Sequence, residues 1–189
     1  MLLNGKPLSF KQELKLVGIV VGIVTLVEFI NLITQGWLNQ FGLVPREVHQ
    51  LLGIFFSPFL HGSLAHYLSN ILPLAIFSLL LLQYGKKAYF MVTLWLIVTS
   101  GILVWLFGRT AYHIGASGLI YGYFGFLILA GFMAKQLKLI VISIAVAFVY
   151  GGLVWGVFPN PQRFVSWEYH LFGFAAGLVA ARYWQYKRT

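Results

Sequence analysis

Six stretches of this chain are apolar for long enough to cross a lipid bilayer, and that property removes most folds from consideration. A helical span needs about 20 mostly apolar residues, and such runs occupy 14–33, 64–84, 88–107, 116–134, 137–158 and 167–186. The predicted fold is therefore all-α, a polytopic membrane protein with six transmembrane helices in a single membrane domain over 1–189. Composition agrees: 60% of residues are hydrophobic and 9% charged, where soluble domains carry about 25% charged residues. The first run follows Lys6, Lys11 and Lys15 and is too long for a cleavable signal, so it reads as a retained span.

The formal net charge of +9 would fit nucleic acid only if a polar stretch could build a basic face, and none is long enough. Lipid and the membrane potential account for it instead. With the N-terminus inside, the inner segments hold ten basic residues, Lys6, Lys11, Lys15, Lys86, Lys87, Lys135, Lys138, Arg182, Lys187 and Arg188, against three outside, Arg46, Arg109 and Arg163. This asymmetry places both termini in the cytoplasm.

The outer loop 34–63 is studded with Trp37, Phe41, Leu43, Leu51, Leu52, Ile54, Phe55 and Phe56, which predicts short interfacial helices. In the last outer loop, 159–166, Pro159 and Pro161 prevent regular structure and leave a short cap.

Without cysteine or aspartate, the chain has no disulfide, thiolate zinc site or cysteine nucleophile. Its carboxylates are Glu13, Glu28, Glu47 and Glu168 alone. No metal or cofactor site has the required spacing, and His49 and His113 read as solvated loop residues.

In the six-span layout the second, fourth and sixth spans start at the outer face, bringing His66 and Asn70, Ser117, and His170 into one layer. Polar groups within a bilayer are costly unless paired or beside water, so each is a functional candidate. Ser117, between Gly115 and Gly118, is either a helix cap or a nucleophile. His170 is either a packed, hydrogen-bonded histidine or the base that activates that serine.

On the sixth span Gly173 and Gly177 share the face of His170, and on the fourth Gly118 and Gly122 recur at the same period. Small residues so spaced let two membrane helices approach closely, although glycine is also simply common in such helices. Glu168 lies roughly 200° round the helix from His170 and cannot orient that ring, so a two-residue dyad is expected. Glu168 instead suits the first turn after a Ser166 cap.

Tyr121, four residues after Ser117, is either a packed interfacial tyrosine or a ring stacked on His170. His66 and Asn70, also four apart, can donate hydrogen bonds to an oxyanion together with the Ser117 N–H. Glu28, in the outer half of the first span, is expected to make a structural hydrogen bond.

These residues resemble the rhomboid intramembrane serine proteases, in their minimal six-span prokaryotic form, over nearly the whole chain. The resemblance rests on three motifs in order: Gly115-Ala116-Ser117-Gly118, His66 with Asn70, and His170 with Gly173 and Gly177. It implies metal-free hydrolysis of a peptide bond in or beside a transmembrane segment of a protein substrate, through an acyl-enzyme on Ser117. It implies further that His170 is base and acid, that Tyr121 stacks on it, and that His66 and Asn70 line an oxyanion hole.

By the same likeness, 159–166 is the family's cap and the fifth span its substrate gate, and the location is a bacterial inner membrane. His61 matches a further position of the motif at the second-span entry. The family's Trp-Arg pair is absent from the first outer loop, where Leu38 follows Trp37, as is a carboxylate at the inner end of the second span. Two other functions fit a polar cavity among membrane helices: a non-catalytic rhomboid-like protein that binds transmembrane helices, and a small transporter. The first is disfavoured by the presence of both Ser117 and His170, the second by the lack of an inverted repeat.

Overall fold

Three of the long helices begin where a serine caps the start of the run. A computed structural model describes residues 8–159 and 165–184. Ser9 opens α1 (Phe10–Ile33) through a reciprocal capping box with Gln12. Ser63 opens α3 (Leu64–Leu82), its hydroxyl accepting from the His66 N–H at 3.1 Å. Ser166 opens α7 (Trp167–Tyr183), accepting from the Tyr169 N–H at 3.4 Å, with Glu168 in the first turn as expected. Between them run α4 (Lys86–Phe107), α5 (Ser117–Ala134) and α6 (Leu137–Tyr150).

The outer loop holds a one-turn helix α2 (Gly53–Phe56) and 3-10 turns at Trp37–Phe41, Val48–Gln50 and Ser57–Phe59, in line with the short helices expected there. Among the described residues the only strand-like pairing is a single bridge between Leu43 and His113.

Among the described residues five segments are long and apolar enough to cross a membrane: α1, α3, α4, α5 and α6 with its continuation to Val157. The chain is thus an all-helical, multi-pass membrane protein. The expected sixth span corresponds to α7, 17 residues long as described; its last expected residues, 185 and 186, lie outside the described residues, as do Lys6, Arg163, Lys187, Arg188 and 160–164 of the expected cap.

The fifth run differs from expectation in its second half. After Tyr150 the α-helix tightens into a 3-10 helix at Gly151–Val157, where Gly151 and Gly152 supply no side chains to hold the wider helix.

α5 lies at the centre, with 61% of its span buried against 17–28% in the other four. Its most extensive partner is α7. A Cβ on Gly173 would collide with the Gly118 carbonyl, and one on Gly177 with the Gly122 carbonyl, so the two backbones touch along the expected faces.

At one end of the bundle Gln83 donates to Glu13 (3.0 Å) and Lys138 donates to Gln83 (2.6 Å), gathering the start of α1, the end of α3 and the start of α6. The opposite end gathers the end of α1 and the starts of α3, α5 and α7. There Asn31 donates to the His61 carbonyl at 3.0 Å, Gly115 N–H to the Ser57 carbonyl at 2.9 Å, and the Ser57 and Tyr169 hydroxyls bond at 2.8 Å. Every candidate polar residue of the sequence lies at this second end.

Candidate active site

The turn ahead of α5 is drawn tight by the outer loop. Gly115 has φ +120°, and a Cβ there would stand 2.7 Å from the His66 ring and 3.7 Å from Ser117 Oγ. Only glycine tolerates both the left-handed backbone and that contact. Ala116, not Ser117, occupies the N-cap position. Ser117 is the first helical residue, half-buried, so its hydroxyl is not the helix cap. As in any α-helix, the first N–H groups, here from Ser117 onward, lack carbonyls four residues back and present partial positive charge.

His170 sits one turn into α7 and is 6% exposed. Its Nδ1 lies 3.0 Å from the Gly156 carbonyl oxygen, which can only accept, so Nδ1 carries the proton and Nε2 the lone pair. That Nε2 is buried and has no hydrogen-bond partner. The ring is clamped by Tyr121, parallel to within 6° at a centroid distance of 4.0 Å. A cavity of about 350 Å³ opens on it, lined by Tyr121, Trp155, Gly156, Phe158 and Trp167. Ser117 and His170 are brought to the same end of the α5–α7 contact but are not hydrogen-bonded to each other.

His66 is half-buried, edge-on to His61 at 5.1 Å. Asn70 is buried; its amide donates to the His66 carbonyl at 2.7 Å and retains a second proton. Among the described residues no group of three His, Cys, Asp or Glu is arranged to hold a metal ion.

Two expectations are corrected here. His113 is not solvated but 1% exposed. Its Nε2 donates to the Arg109 carbonyl at 2.9 Å and its Nδ1 meets Ser166 Oγ at 2.5 Å. The Leu43 bridge pulls this loop inward, and burial holds the imidazole below its ordinary pKa. Glu28 makes no hydrogen bond; it faces His61, Oε2 to Nδ1, at 3.9 Å. Asn31, the nearest donor along its helix, spends its amide on Asn39 (3.1 Å) and the His61 carbonyl (3.0 Å). His49 is exposed, as expected.

Sequence reasoning missed Gly156, whose contribution is a backbone carbonyl and leaves no side-chain signal. It also missed Ser57 and the pairing of Glu168 with Arg109 at 3.4 Å.

Burial, then the nearby His66, lowers the His61 pKa to about 4. The unfolded chain takes up that proton near pH 6.5, so the contribution of neutral His61 to stability is complete above pH 6.5 and is lost as pH falls towards 4. Melting temperatures of wild type and His61→Gln should therefore converge as pH is lowered through this window. A gap that widens on acidification would contradict this assignment.

A helical membrane bundle with a buried histidine stacked beside a serine-bearing helix start defines a recognisable class of site. Residues 48–187 match the Rhomboid domain family. Uncharacterized proteins of Mycobacterium bovis and Mycobacterium tuberculosis are each 35% identical over 169 residues, covering 85% of this chain and 70% of theirs. One from Mycobacterium leprae is 35% identical over 164 residues, covering 82% and 65%. The chain belongs to the rhomboid family. Members of this family are generally intramembrane serine proteases acting on membrane-embedded substrates.

Proposed function

We propose that this chain is an intramembrane serine endopeptidase in which Ser117 and His170 form a two-residue dyad. The observation that carries the reading is the state of His170. One ring nitrogen is engaged by the Gly156 carbonyl at 3.0 Å, and the other is a buried, unpartnered lone pair. A buried lone pair that no protein group engages, beside a helix start that bears a serine, is what a general base requires.

Ser117 Oγ attacks the scissile carbonyl carbon while its proton passes to His170 Nε2. The oxyanion of the tetrahedral intermediate accepts from the Ser117 N–H, His66 and Asn70. Collapse breaks the C–N bond, the leaving amine takes the proton from Nε2, and an acyl-enzyme remains on Ser117. Water, deprotonated by Nε2, then releases the acid and restores the serine. Tyr121 holds the imidazole plane throughout. The missing Ser117–His170 hydrogen bond forms as substrate seats, since such bonds are commonly long in unliganded enzymes.

The same reading takes α7 as the sixth span of a single rhomboid domain, with both termini cytoplasmic and the site near the outer face of a bacterial inner membrane. The 3-10 segment Gly151–Val157, at the end of the fifth run, then borders substrate entry.

The test is to reconstitute the protein in liposomes with a fluorescent transmembrane reporter and map the products by mass. Cleavage inside or beside the reporter's apolar segment is expected; intact reporter with retained binding would favour the helix-binding alternative. Replacing His66 or Asn70 by alanine should slow cleavage by roughly 10²- to 10³-fold each, and unchanged rates in both would remove them from the oxyanion site.

A further inference from the structure

The chemistry above uses no carboxylate, yet α1 buries one beside the site. Glu28 is 3% exposed and His61 1%. Glu28 Oε2 and His61 Nδ1 face each other at 3.9 Å, and neither Glu28 oxygen nor His61 Nδ1 makes a hydrogen bond. Buried polar groups left unpaired are expensive, so the pair calls for an explanation.

The other side of the His61 ring supplies one. Ala116, the residue before Ser117, donates its N–H to His61 Nε2 at 3.5 Å. To accept there, His61 must carry its proton on Nδ1, on the side of Glu28. In the opposite tautomer two N–H groups would point at one another and push the turn away. A carboxylate opposite Nδ1 favours the required tautomer.

α1 also grips His61 from behind. Asn31, one turn after Glu28, donates to the His61 carbonyl at 3.0 Å, and Asn39 donates to the same oxygen at 3.2 Å. The ring in turn lies edge-on to His66 at 5.1 Å and to Tyr67 at 5.6 Å. His61 thus touches both the turn that carries Ser117 and the His66 ring.

We infer that Glu28 and His61 are positioning residues that fix the Gly115–Ser117 turn and the His66 ring, and thereby set the reactivity of Ser117. The inference rests on the serine peptidase reading of the preceding subsection. Neither residue touches substrate; both act through the Ala116 N–H and His66. A misplacement of about 1 Å in a reacting group can cost up to about 10²-fold in rate, which bounds the expected effect.

The experiment compares Glu28→Leu, Glu28→Gln and His61→Phe in the full-length, liposome-reconstituted protein. It measures kcat and KM on a transmembrane reporter, the rate of fluorophosphonate labelling of Ser117, and thermal unfolding. Glu28→Leu, which removes the polar group facing His61 Nδ1, should lower kcat and labelling by about 10- to 10²-fold with KM little changed. Glu28→Gln keeps an acceptor oxygen and should recover most of the loss. His61→Phe should match Glu28→Leu, and the double variant should be no slower than either.

Equal loss in Gln and Leu variants, or unchanged kcat and labelling in folded Glu28→Leu, would overturn the inference. Should the leucine variant fail to fold, 15N chemical shifts of His61 in the wild type read the tautomer directly, and protonation at Nε2 instead of Nδ1 would overturn it. Wild type that does not label, or labels without His170, would instead defeat the underlying dyad and is distinguishable from either result.

Discussion

Ser117→Ala is expected to lower cleavage of a transmembrane reporter by at least about 10⁴-fold, because without Oγ no acyl-enzyme can form. The fold should be indifferent: Ser117 is half-buried and does not serve as the cap of α5. His170 must be handled differently, since its ring stacks on Tyr121 at 4.0 Å and meets the Gly156 carbonyl at 3.0 Å. Alanine would empty that slot, whereas His170→Phe keeps an aromatic ring against Tyr121 while removing the base and the Nδ1–H donor to the Gly156 carbonyl. It should be as inactive as Ser117→Ala, and the double variant no worse, because members of one catalytic unit do not add. Reporter turnover at fixed protein, with melting temperature as the folding control, checks all three. Residual activity above 1% in either single variant would be incompatible with a dyad that proceeds through both residues.

Gly177→Val should produce the largest loss of stability. Its Cβ would drive into the Gly122 carbonyl, with Phe126 N 2.9 Å away, and backbone on a central helix has nowhere to move. Overpacking of this kind costs about 1–3 kcal/mol, occasionally more. Gly173→Val meets the Gly118 carbonyl in the same way and should also misplace His170, three residues earlier on the helix. Gly22 on α1 has nothing within 4 Å of its would-be Cβ. There alanine should be neutral or stabilising, by up to about 1 kcal/mol from reduced backbone freedom. Thermal unfolding in one detergent compares the three. A Gly177→Val protein that melts with wild type would mean that α5 and α7 do not pack as described.

How much of this was legible in the sequence depended on the range of each interaction. Apolar run length marked α1, α3, α4 and α5 to within a few residues because hydropathy is a property of one segment. The Ser166 cap with Glu168 in the first turn was equally local. The α5–α7 contact was legible because glycine at period four labels a helix face, and two such faces at the same end have one obvious partner.

Interactions between residues far apart in the sequence left no trace. Burial of His113 follows from a bridge to Leu43, and the facing of Glu28 and His61 from the docking of an outer loop onto α1. Neither pairing has a spacing to read. The break after Tyr150 was hidden for a different reason: Gly151 and Gly152 count as tolerable in an apolar run, while their effect is on the hydrogen-bond pattern. Its consequence is chemical, since it is this segment that offers the Gly156 carbonyl to His170.

The central claim is an activated serine, and the most direct measurement is covalent labelling. Purified protein in mild detergent would be treated with a fluorophosphonate probe, and the modified residue located by mass spectrometry in wild type, Ser117→Ala and His170→Phe. Labelling confined to Ser117 in wild type and lost in both variants is the predicted result. Absence of labelling in folded wild type, or undiminished labelling of Ser117 in His170→Phe, would contradict it.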